Sequence, residues 1–250
     1  MPFSQLDWTY GSILGDRDIN EHDFNSAKYM TLISKTMGKY TKGSASKVVK
    51  IYTDKMVPFQ GDMGMLDFSR RNMYSDQMAK LVSWHRYYTR FWKQSALFCD
   101  MRWPDFLNFN APGKIGSTGI SEPKFLNAVT GQNTSFLDGI ELGRKIWNLD
   151  HAIWTLQGRH RDMVHFSDYV YSRKAQKGTF LEPAMYLPGK INWAWNYVNT
   201  KSRFEGFKSR FYKLQGWEEH TGYPKESTLK SQGLEAVADA LKQKGRLGKG

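Results

Sequence analysis

Two long stretches of this chain place an apolar residue at every third or fourth position, and they restrict its possible folds more than any other feature. In residues 75–98, Met78, Leu81, Val82, His85, Tyr88, Trp92 and Ala96 fall on one face of a helix, with Ser75 placed to cap it. In residues 135–156, Phe136, Ile140, Gly143, Ile146, Trp147, Asp150, Ile153 and Trp154 repeat the pattern behind Ser135. Shorter helices are expected over 26–40, 122–129, 203–215 and 226–244. The third carries Phe204, Phe207, Phe211 and Leu214, and the last carries Leu229, Leu234, Val237 and Leu241 around an interruption at Gly233. Residues 46–56 suit a helix or a strand equally. Pro58 to Gly64 breaks the chain, HTGYP reads as a turn, and residues 105–120 and 157–202 read as irregular. No stretch alternates as a strand does, so the fold class is mainly α.

Composition narrows the class. Hydrophobic residues make up 40% and aromatics 15%, enough for a sizeable core in a globular chain. A single cysteine excludes a disulfide scaffold. The opening MPFSQLDWTYGS does not read as a secretory leader, and no window reaches eighteen uncharged apolar residues, so a soluble cytoplasmic protein with no membrane span is expected. The net charge of +12 raises nucleic-acid binding, but the basic residues are spread along the chain. The one dense run, KQKGRLGKG, lies at what reads as a frayed C-terminus. No finger, RNP or basic-zipper pattern is present, and nucleic acid is not the expected partner.

Few residues can carry chemistry. Cys99 continues the apolar stripe of the 75–98 helix and should face inward. By residue type alone it is a packing thiol, since free cysteine is usually buried; a nucleophile or one corner of a metal site are the other readings. His85 shares the stripe but lies about 21 Å away at ~1.5 Å per residue, too far to serve as its base. His22 sits among Arg17, Asp18, Glu21 and Asp23, either a proton-donating site lining or a solvated turn with local ion pairs. His151, His160 and His165 with Arg159 and Arg161 lack the spacing of a zinc helix. They suit a basic helix C-terminal cap around Gly158 and an anion contact. No phosphate loop, dinucleotide fingerprint or nucleophile elbow occurs.

Three segments, in order, resemble the C-terminal part of the aldehyde:ferredoxin oxidoreductase family. QSALFC, ending at Cys99, is similar to the family's DxxGLC segment. DGIELGRKIWNLDHAIWTLQGRHRD resembles the helix downstream of it, and FYKLQGWEEHTGYPKESTLKSQGLEAVADAL resembles the family's tail. RDINEHDF, preceded by ILGD, resembles the region that places a histidine near the metal. The resemblance implies a tungsten (or molybdenum) bis-pterin cofactor and a [4Fe-4S] cluster that takes one ligand, Cys99, from this chain. It also implies His22 as a catalytic proton donor, and Gln94 and Phe98 beside the pterin. Gln94 stands where the family has an aspartate and Leu97-Phe98 where it has Gly-Leu, which leaves room for a substrate other than a simple aldehyde.

The same resemblance implies that residues 1–250 form the family's helical C-terminal region without its N-terminal β domain, as a split subunit or a fragment. Residues 1–74 would be a cofactor-facing part, and 75–250 the cluster-ligand and C-terminal helical part. The implied partners are an N-terminal half or subunit carrying CxxCxxxC, a ferredoxin or iron–sulfur electron-transfer subunit, and a small aldehyde or aromatic substrate. The implied reaction interconverts aldehydes and carboxylic acids. Alternatives are a tungsten-dependent ring reductase similar to the benzoyl-CoA reductase active-site subunit, and a cofactor-free helical interaction protein that has lost activity.

Overall fold

The computed structural model describes residues 10–11, 13–15, 53–54, 56–67, 72–96, 121–168, 171, 184–187, 190–193 and 201–250. The expected 26–40 helix and 105–120 loop, with His22, Phe98 and Cys99, lie outside the described residues. At the centre stands helix α1 (Asp76–Tyr88), started by the Ser75 hydroxyl, which accepts from the Met78 N–H at 3.1 Å. It runs on through a π-helical segment, Thr89–Lys93, into a last turn, Gln94–Ala96. The sequence pattern predicts one buried stripe here. Instead, from Met78 to Lys93 only Lys80 and Phe91 are even half-exposed. The reason is that neighbours cover α1 on every side, so its polar residues are buried along with its apolar ones.

Those neighbours are α2 (Ser121–Thr130), α3 (Phe136–Leu156) and α4 (Lys201–Gln215), with a 3-10 turn at Met63–Leu66. A capping box begins α3: Ser135 N–H donates to Asp138 Oδ2 at 2.9 Å, and Asp138 N–H donates to Ser135 Oγ at 3.1 Å. Hydrogen bonding from the Ser135 hydroxyl, and then from the Ser135 N–H, holds the Asp138 carboxyl below its ordinary value. α3 crosses α1 with almost no gap. The Tyr87 carbonyl lies against Gly143, and the Trp92 indole lies against Gly139, each where a Cβ would be. Trp92 Nε1 donates to Phe136 O at 3.0 Å and its ring stacks on Phe136. Phe204, Phe207 and Phe211 of α4 close the main core, which runs from Tyr10 and Leu14 to Trp217.

The second half of α3 departs from expectation. Ile153 is 43% exposed, while Asn148, His151, Ala152 and Thr155 are buried. The tail supplies the cause. Helices α5 (Glu226–Lys230) and α6 (Glu235–Gln243), separated at Gly233 with φ +65°, pack Leu229, Leu234, Ala238 and Leu241 around Ala152. The tail does not fray. Arg246 Nη1 donates to the carbonyls of Thr155, at 2.9 Å, and Leu156, and Gly248 N–H donates to Pro224 O at 2.9 Å. The side chain that caps α3 is therefore that of Arg246, not of Arg159 or Arg161, while Arg159 contributes its backbone N–H, which donates to Trp154 O at 2.9 Å. Within 157–202 an antiparallel hairpin, β1 (Ala184–Leu187) with β2 (Lys190–Trp193), pairs Ala184 with Trp193 and Leu187 with Lys190. It departs from the expectation of no strand, and the two-residue link Pro188-Gly189 was its signal in the sequence. The fold remains mainly α. Among the described residues no helix is long and apolar enough to cross a membrane.

Candidate functional site

The C-terminal half of α1 and its π-helical extension carry a buried row of cations toward the segment that contains Cys99. Arg86, Arg90 and Lys93 recur at i, i+4 and i+7, and they are 1%, 6% and 7% exposed. The guanidinium groups of Arg86 and Arg90 lie 6.0 and 5.5 Å from the Trp147 ring centroid. Arg90 Nε reaches Asp150 Oδ2 at 3.2 Å, and Lys93 Nζ lies 5.5 Å from the Tyr88 ring. Tyr88 in turn donates to the buried Glu122 of α2 at 2.8 Å. The Arg86 guanidinium also lies against Gly11 and Gly15 of the N-terminal helical turn, and a side chain at Gly11 would collide with it. Buried cations need nearby anions or dipoles, and here two helices and the N-terminal turn are arranged around them. π-helical turns recur at functional positions because they displace the following side chains.

Gln94 follows the row directly and is exposed, with a carboxamide that can both donate and accept. A [4Fe-4S] cluster takes four thiolates, and this chain holds one cysteine, so the residues present do not hold such a cluster by themselves. Among the described residues no three His, Cys, Asp or Glu side chains gather as a metal site.

The basic and histidine-rich cluster of 151–165 does not assemble into a single site. Arg159 donates to the carbonyls of Ile13, Leu14 and Gly15 at 2.8–3.2 Å and so fastens the N-terminal turn. Arg161 meets the expected anion: its Nη2 reaches Glu205 Oε2 at 2.9 Å, and its Nη1 donates to Glu219 O at 2.6 Å. The buried Lys208 ammonium donates to the Val164 and Arg161 carbonyls at 2.7 and 3.1 Å and pairs with Glu205 Oε1 at 2.9 Å. Burial raises the Glu205 pKa, but Lys208 and Arg161 outweigh it and hold the carboxyl below its ordinary value. His160 pairs with Asp162 at 3.4 Å, and His165 is exposed.

His151 belongs to the tail clasp instead. Its Nε2 lies 2.7 Å from Gly222 O, which assigns the ring proton to Nε2, and its ring stacks on Trp217 at 3.4 Å between centroids. Trp217 Nε1 donates to Asn148 Oδ1 at 2.8 Å. Beside it, Gln215 Oε1 accepts from Tyr87 OH at 3.0 Å and from Trp147 Nε1 at 3.1 Å, while Gln215 Nε2 donates to Ser83 Oγ at 2.6 Å. Burial pushes the Tyr87 hydroxyl up to about 12, so it stays a donor. Sequence periodicity misses this network because a stripe of polar side chains carries no hydrophobic signal. Only the density of Trp and Gln in LQGW hinted at it.

Burial, against the Gly222 hydrogen bond and aided by Arg159, pushes the His151 pKa down to about 3. The unfolded chain binds the proton first, near pH 6.5. The clasp's contribution is therefore complete above about pH 6.5 and is lost as pH falls from there toward about 3. The urea midpoint should drop by an amount worth about 1–2 kcal/mol between pH 7 and 5. His151→Gln, which can still donate to Gly222 O, should flatten that part of the profile. Equal slopes in the two proteins would show that His151 is not the group responsible.

A buried, cation-bearing central helix that leads into a cysteine segment, with a tail clasped onto the neighbouring helix, defines a mainly helical module. The chain belongs to the aldehyde ferredoxin oxidoreductase family: the family model described as "Aldehyde ferredoxin oxidoreductase, domains 2 & 3" matches residues 25–234. The match includes Gln94, Phe98 and Cys99 and begins three residues after His22. Comparison with curated proteins returned no match. The chain is thus a domain 2-and-3 part of an oxidoreductase family, which implies an N-terminal region as its partner.

Proposed function

We propose that this chain is the C-terminal part, or a split subunit, of a cytoplasmic tungsten or molybdenum bis-pterin oxidoreductase that interconverts aldehydes and carboxylic acids. The family match over residues 25–234 carries the reading, because it runs through the whole segment that ends at Cys99. When bound, the metallopterin would accept the electron pair released as an aldehyde and water become an acid and two protons, and the cluster would pass those electrons to a ferredoxin-like carrier. This chain's part is local. Cys99 gives one thiolate to a [4Fe-4S] cluster whose other three ligands come from the CxxCxxxC of the N-terminal partner. Gln94 and Phe98 lie along the pterin, and His22 moves a proton at the substrate.

The test is to produce the chain together with the CxxCxxxC polypeptide and to measure iron, tungsten and the visible spectrum. A brown complex containing both metals is expected. Cys99→Ala should lose the cluster absorbance and at least about tenfold of the electron-transfer rate, as expected for removal of a metal ligand. Unchanged iron and activity in Cys99→Ala would remove Cys99 from the cluster.

A further inference from the structure

We draw no further inference here: the strongest candidate, the apolar stripe that Leu142, Ile146 and Ile153 set on the outward face of α3, carries nothing, because nothing in the structure shows what covers it.

Discussion

Trp217→Ala should cost about 3–5 kcal/mol of stability, as the loss of a fully buried tryptophan does. The indole is 1% exposed and is enclosed by His151, Tyr212, Phe211 and Trp147, with ring centroids 3.4–5.9 Å away. Removing it opens a cavity and also strands Asn148 Oδ1, which accepts from Trp217 Nε1 in a buried site. A urea titration followed by circular dichroism reads the loss. Amide exchange should quicken first in residues 216–248, because the stack is what ties the tail to α3. A loss below about 1 kcal/mol would mean that the clasp is ornamental to the fold.

Gly143→Ala tests the opposite intuition. In the middle of a helix, replacing glycine by alanine ordinarily stabilises by about 1 kcal/mol. At Gly143 the added methyl would overlap the Tyr87 carbonyl, a backbone atom of α1 that has no rotamer to escape into. The helices must then separate, so the sign should reverse to a destabilisation of about 2–3 kcal/mol. Gly206→Ala on α4 is the internal control: nothing lies within 4 Å of its would-be Cβ, and it should show the ordinary gain. If both substitutions stabilise, α1 and α3 do not cross as closely as described. Differential scanning calorimetry of the two variants beside the parent decides it.

These cases show what the sequence made legible. The helices at 75–98, 122–129, 135–156, 203–215 and 226–244, the caps at Ser75 and Ser135 and the break at Gly233 could all be read, because apolar spacing and capping chemistry are local. The burial of α1 on nearly every side from Met78 onward could not, since a residue such as Arg86 is written the same way whether water or Trp147 lies beside it. The ordered C-terminus was hidden for a related reason. KQKGRLGKG is polar but for Leu247, and only the far end of α3, ninety residues earlier in the chain, shows why Arg246 is held in place. Of the candidate site, the family segment was legible from motif order. The cationic row beside them was not, because buried cations interrupt the hydrophobic pattern that periodicity detects. The hairpin was lost among aromatics, although Pro188-Gly189 marked its link.

Gln215 carries a last consequence. Its carboxamide joins Ser83 and Tyr87 of α1 to Trp147 of α3 from its own place at the end of α4. Both lone pairs of Oε1 are occupied by donors, and Nε2 faces a hydroxyl that already donates to Ala79 O. Every proton in the chain of bonds therefore has one direction, and a flipped amide would set donor against donor. A junction with a single valid wiring couples three helices into one cooperative unit. No one of them can slide by a turn or peel away without breaking the wiring for the other two, so these three helices should open together or not at all.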